Sequence, residues 1–268
     1  VTRARRIAAI VLRQFYLLRG SVARFLPLFA WVAVDMVLWG FISRYLNTVA
    51  SPAFNFVPAL LGAVLLWDFF TRVMHGVTTA FLEDVWSRNF LNLFATPLSV
   101  SEYLAGLVLT SSATSFVGLV VMLVLATTVF GLSFFVYGAL LIPFLLVLFG
   151  FGIALGILGA AVVMRMGPAA EWFVWPIPAL VSPFAGVFYP LSTLPAWMQY
   201  AARLLPPAYV FESLRKLLAG APVPATALVW GGGLAVLDVL LACWVFTRTY
   251  RRAVRTGLIA RYSAESVG

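Results

Sequence analysis

Five ionisable side chains interrupt runs that are otherwise hydrocarbon: Asp35, Asp68, Arg72, His75 and Asp238. Asp68, Arg72 and His75 follow four- and three-residue steps, a spacing that sets them on one face of a helix. A charged, unpaired group at mid-membrane costs at least ~2.5–3.5 kcal/mol on insertion scales, so each needs a reason to be there. One reason is structural: Asp68 and Arg72 neutralise each other, or share the charge with Asp35, and hold helices in register. The other is a proton or cation relay through Asp35, Asp68, Arg72 and His75. The structural reading is preferred, because a proton-driven pump usually needs carboxylates reachable from both sides and the sequence shows none.

Other chemistry is missing. His75 is the only histidine and Cys243 the only cysteine, so no disulfide, zinc site or CxxC pair can form within one chain. HExxH, GxSxG and clustered carboxylates at metal spacing are absent. The only lysine is Lys216, and no GxxxxGK[ST] loop contains it. No catalytic, cofactor or metal residue is therefore expected. If ATP drives the protein, another polypeptide must hydrolyse it.

The elements around these residues follow from composition. Hydrophobic residues make up 63% of the 268 and charged ones 10%, against roughly 45–50% and ~25% in soluble domains. The bilayer must be the solvent for most of the chain, and helices are the spanning form. Six apolar runs approach the required ~20 residues: 25–43, 57–81, 104–130, 138–164, 172–190 and 224–246. The basic residues concentrate at the ends, in Arg3, Arg5, Arg6, Arg13, Arg19 and Arg24, and again from Arg248 to Arg261. Six spans put both ends on one side, and the positive-inside rule makes that side cytoplasmic. The net charge of +9 then reads as topology plus attraction to anionic lipid heads. Nucleic acid is not an expected partner, since the basic residues lie in juxtamembrane arms without stacking aromatics. The first apolar run is long, follows a basic arm and lacks a small-residue cleavage site, so it is expected to stay as a span and not be removed as a signal peptide.

Three segments fall outside the spans. In the arm, residues 1–24, Arg3, Arg6, Arg13, Ser21 and Arg24 share a sector of about 80° on a helical wheel, which predicts an interfacial amphipathic helix. Between the second and third runs, Leu82, Val85, Trp86, Phe90, Leu93 and Phe94 recur at helical steps, predicting a short amphipathic helix over 82–96 that Pro97 ends. Ser99 and Glu102 then have the spacing of a capping box. The third segment, "YPLSTLPAWMQYAARLLPPAYVFESLRKLLAGAPVP", is too apolar for a free loop and too rich in proline for a span. It predicts two short helices, about 195–205 and 207–219, within a partly membrane-embedded outer segment over 192–219, with Glu212 one helical turn from Arg215. The glycines Gly152, Gly156 and Gly159 permit close helix approach. Trp172, Trp175, Pro176, Pro178 and Pro183 give the fifth run a kinked, aromatic start. Residues 247–268 form a cytoplasmic tail, and nothing divides the chain into more than one domain.

"LFATPLSVSEYLAG", with Thr96, Pro97, Leu98, Ser99 and Glu102, and the outer stretch from Gly186 to Arg215, with Phe188, Tyr189, Pro190, Pro195 and Pro206, resemble motifs of the membrane subunit of ABC type 2 exporters. The resemblance covers nearly the whole chain. It implies an all-α membrane protein of six transmembrane helices, with the amphipathic arm, a cytoplasmic coupling helix and outer re-entrant half-helices. It also implies a homodimer, or a heterodimer with a second permease, in the cell inner membrane, driven by separate ABC ATPase subunits that bind ATP and Mg. Glu83, Asp84, Trp86, Arg88, Phe90 and Phe94 would meet the ATPase, Trp86 and Phe90 as buried anchors and Glu83, Asp84 and Arg88 at the rim. Phe188, Tyr189, Pro190, Glu212 and Arg215 would form the outer gate.

The expected function is thus a permease for a hydrophobic or amphipathic substrate such as a drug, a lipid or a lipid-linked glycan. The region before and within the first span, "LRQFYLLRGSVARFLPLFAWVAVDMVLWGF", departs from the pattern of the polysaccharide-exporting branch and looks closer to the branch for drugs and lipids. The alternative is an ion- or proton-coupled secondary transporter built on Asp35, Asp68, Arg72 and His75.

Overall fold

A computed structural model of the chain describes residues 2–21, 26–49, 57–87, 92–93 and 95–257. All regular structure among them is helical. Helix α1 (Arg3–Arg19) is the amphipathic arm, built from the strong helix formers Ala, Leu and Arg and ending at Gly20 with Arg19 at the favourable C-terminal end of the dipole. Helix α2 (Pro27–Val49) follows, 23 residues long. A π-helical turn, Val57–Leu61, opens α3 (Gly62–Trp86), and the Tyr137 hydroxyl donates to the Pro58 carbonyl at that turn, 2.7 Å away. Helix α4 (Val100–Phe130) starts at the expected capping box. The Ser99 hydroxyl accepts from the Glu102 N–H, and Glu102 Oε2 accepts from the Ser99 N–H at 2.9 Å. It ends at Gly131, whose φ of 68° is the left-handed cap conformation that glycine adopts without strain.

Helix α5 (Leu141–Met166) comes next, and then the short helices α6 (Glu171–Val174) and α7 (Ile177–Ala185). Two more short helices, α8 (Ala196–Ala202) and α9 (Pro206–Leu218), precede the long α10 (Ala225–Arg255). Among the described residues four stretches are long and apolar enough to cross a membrane: Val57–Trp86, Val100–Phe130, Gly138–Met166 and Ala225–Arg255. The fifth apolar run, expected to begin with a kink, is broken into two helices at Trp175 and Pro176, between α6 and α7. The physical reason is local: Pro176 and Pro178 each remove a backbone donor that a continuous helix would need.

Helix α3 is the centre of the bundle. It packs between α4 and α5, while α10 lies along the far side of α5 and α1 lies across α4. In its most apolar window 61% of α3 is buried, against 17% for α10. The side chains of α10 that the bundle leaves exposed include the apolar Leu237, Leu240, Leu241 and Trp244. The expected glycine contact is present: a Cβ on Gly156 would lie 2.7 Å from the Met74 carbonyl oxygen and 2.7 Å from Val77 Cβ. Hydrogen bonds reinforce these faces, Thr78 Oγ1 to the Gly156 carbonyl at 3.3 Å and Ser111 Oγ to the Val73 carbonyl at 2.8 Å.

The segment over 82–96 differs from expectation. Leu82–Trp86 do not begin a separate helix; they are the last turn of α3, with Leu82 and Val85 buried on the same face as Phe81 and Val77. The apolar period of α3 simply runs on, so the polar residues decorate its end without breaking it. Arg88, Phe90 and Phe94 lie outside the described residues.

Candidate functional site

The end of α3 is held by charge. Asp84 is fully buried, and its two carboxylate oxygens have separate partners. Oδ1 accepts from the Arg13 guanidinium of α1, and Oδ2 accepts from the Tyr103 hydroxyl of α4 at 2.7 Å. Burial pulls the Arg13 guanidinium below its ordinary value, while the nearby Glu83 acts in the opposite sense. The group remains a cation at any physiological pH. Asp84 is therefore not at an exposed rim, where the sequence reading put it. It is the buried joint of three helices.

A second ion pair lies beside the first. The Glu102 carboxylate, 4% exposed at its side chain, is in ion-pair contact with Arg6 at 3.4 Å and with Arg3 at 3.8 Å, and Arg6 also donates to the Pro97 carbonyl. Ile10 packs over Gly106, and Gln14 donates to the Ala80 carbonyl at 3.1 Å. The basic face of α1 thus turns toward protein carboxylates and not only toward lipid heads. One side chain stands out from this clamped end: Trp86 is 49% exposed.

The intramembrane residues are brought together more closely than their sequence positions require. A cavity of about 570 Å³ is lined by Asp35 of α2 and by Asp68, Arg72 and His75 of α3. Trp31 and Trp175 form aromatic walls, Leu17 and Leu18 an apolar one, and Thr71, Thr79, Thr110 and Thr114 supply hydroxyls. The His75 and Trp175 rings lie 4.7 Å apart. Asp238 is not part of this lining. Among the described residues no ion pair joins Asp68 to Arg72, and Asp68 Oδ2, Arg72 Nε and His75 Nε2 are buried without a hydrogen-bond partner in the chain. The self-neutralising pair expected from spacing is therefore not formed. Arg72 is instead turned toward α4, where a Cβ on Gly118 would stand 2.5 Å from its Nε. No group of His, Cys, Asp and Glu with metal-binding geometry occurs among the described residues.

At the opposite end, two of the predicted gate residues, Glu212 and Arg215, form one brace. Arg215 donates to the Gly186 carbonyl at 2.6 Å and to Glu212 Oε1 at 2.8 Å, and the same oxygen accepts from the Leu191 N–H at 2.8 Å. The chain reverses at Gly186, which has a φ of 62°. Tyr189 donates to the Pro183 carbonyl at 2.8 Å, and Phe188 stacks on Trp39 of α2 with ring centres 4.8 Å apart. Pro190 accepts from the Thr193 hydroxyl and caps the turn before α8.

Sequence reasoning did not assign Arg13, Tyr103, Gln14 or Gly118 to any site. Only the helical sector shared by Arg6 and Arg13 hinted at a common target. The family model of the ABC-2 type transporter matches residues 6–219, from within the first turn of α1 to the residue after α9. No curated protein matches the chain. The family match spans well over half of the sequence, and the chain belongs to the ABC-2 type transporter family as its multi-pass membrane domain, a permease whose 268 residues hold no nucleotide-binding domain.

Proposed function

We propose that this ABC-2 type membrane domain is the permease of an ATP-driven exporter, energised by separate ABC ATPase subunits that bind ATP and Mg and dock where α1, α3 and α4 meet. The observation that carries the reading is the pairing of an exposed anchor with a rigid mount. Trp86 projects from the last turn of α3, and two residues back Asp84 ties that helix to Arg13 and Tyr103. A push on such an end moves three helices together, because buried charge pairs resist separation. Large aromatic side chains are the usual anchors of protein interfaces. Arg88, Phe90 and Phe94 complete the docking segment in this reading, and Glu83 lies at its edge.

Six spans complete the architecture: α2 and the broken segment from Glu171 to Ala185 are added to the four apolar helices, and α8 and α9 are outer half-helices. Both ends of the chain then face the cytoplasm of a cell with this protein in its inner membrane. The unit pairs with a second copy or a sister permease. The substrate is hydrophobic or amphipathic, and Phe188, Tyr189, Pro190, Glu212 and Arg215 close its exit. The test is gentle extraction of the tagged chain from its native membrane. A stoichiometric ABC ATPase should accompany it, and Trp86→Ala should weaken that association by about thirtyfold, from an anchor contributing ~2 kcal/mol. A permease that always emerges alone would refute the reading. One observation favours a second reading, a secondary transporter: the cavity unites Asp35, Asp68, Arg72 and His75. Substrate movement on a proton gradient without any ATPase would select it.

A further inference from the structure

The cavity between α1, α2, α3 and α4 has more carboxylate than cation. Asp35 and Asp68 belong to different helices yet line the same cavity. Among the described residues Arg72 is the one guanidinium in the lining, and it is drawn aside over Gly118 without pairing to Asp68. Glu83, at the α1 end, has Arg13 beside it. Among the described residues, Asp35 and Asp68 thus face one guanidinium in formal charge, an excess of negative charge. A buried carboxylate without a counter-charge is costly, and a ligand that supplies the charge removes that cost.

The walls narrow the ligand further. Trp31 and Trp175 offer faces that attract a desolvated cation, and Trp175 is positioned by its contact with the His75 ring, 4.7 Å away. Leu17 and Leu18 give the opposite wall an apolar surface. The volume of about 570 Å³ falls within the roughly 300–1,000 Å³ of sites for drug-sized molecules.

We propose that this cavity binds a lipophilic organic cation, an aromatic or alkyl body bearing one positive charge, with Asp68 and Asp35 as its counter-ions and Trp31 and Trp175 as its walls. The inference rests on the permease reading for its meaning, since the bound cation would be cargo, but binding itself needs no partner. It can be measured on the purified chain in lipid nanodiscs without ATP, by equilibrium binding of labelled tetraphenylphosphonium. Tetraphenylborate serves as an anion of the same shape, and empty nanodiscs give the lipid background. Saturable binding of the cation and none of the anion is expected. Asp68→Asn and Asp35→Asn should each weaken the cation by about tenfold or more, a ~1.4 kcal/mol loss, and Arg72→Gln, which removes the competing positive charge, should tighten it. Should Asp68→Asn fail to fold, Asp35→Asn and the contrast between the two ions in the wild type still decide. Saturable binding of the anion alone, binding of neither ion, or cation binding unchanged in both Asn variants would overturn the proposal. Because no ATPase is present, such a failure leaves the docking reading standing. A chain that binds the cation but recruits no ATPase would sink the docking reading alone.

Discussion

Arg13 and Asp84 stand 71 residues apart in sequence and form an ion pair at the buried junction of α1 and α3. Asp84 has no exposed surface, and its second oxygen is taken by Tyr103. The amphipathic arm is therefore a bonded part of the helix bundle. Whatever moves the end of α3 also moves α1.

Removing one partner of such a pair leaves the other charge buried and unpaired, which costs about 3–5 kcal/mol. Arg13→Ala and Asp84→Ala should each lower stability by that order in chemical denaturation of the detergent-solubilised chain. The double variant should lose clearly less than the sum. Additive losses would mean that the two groups do not interact.

The glycine contact between α3 and α5 predicts a contrast within one residue type. Gly156→Val places atoms where the Met74 carbonyl and Val77 already stand, and overpacking of this kind costs about 1–3 kcal/mol. Gly232 on α10 has nothing within 4 Å of the place a methyl group would take, so Gly232→Ala should leave stability unchanged or raise it by up to ~1 kcal/mol. Thermal unfolding followed by accessibility of Cys243 would read both.

At the outer end, Arg215 is the group that ties α9 to the turn at Gly186. Arg215→Ala should speed hydrogen exchange over residues 186–194, with the Leu191 amide included. Glu212→Gln keeps an acceptor for the Leu191 N–H and should have the smaller effect. Equal protection in wild type and Arg215→Ala would show that the brace is not what orders this turn.

The helix start at Ser99 gives a local prediction. Ser99→Ala removes the acceptor of the Glu102 N–H and should cost about 1 kcal/mol. Ser99→Asp should retain most of the stability, because a carboxylate caps equally well. A loss equal to that of alanine would argue against the capping role.

Features set by neighbours in sequence were legible before any fold was known. The capping box at Ser99 and Glu102, the pairing of Glu212 with Arg215 and the close approach at Gly156 all follow from short-range spacing. Contacts set by tertiary packing were not. The partner of Asp84 lies in a different helix, so its polarity read as exposure. The continuation of α3 through Trp86 was hidden because Glu83 and Asp84 look like the start of a water-exposed segment, although Leu82 and Val85 keep the buried period going. Asp68 and Arg72 have the spacing of a pair, yet Gly118 opens a place on α4 that draws the guanidinium away. The break at Trp175 and Pro176 was visible as a cluster of prolines, but its size was not.

In the proposed function, work enters through the end of α3 from a separate motor. The direct measurement is transport in vesicles that contain the permease and its ATPase, comparing the wild type with Trp86→Ala. Uptake into inside-out vesicles should require ATP in the wild type, and the variant, whose spans remain folded, should hydrolyse ATP with little or no transport. Equal ATP-driven transport by both proteins, or transport on a proton gradient with the ATPase left out, would contradict it.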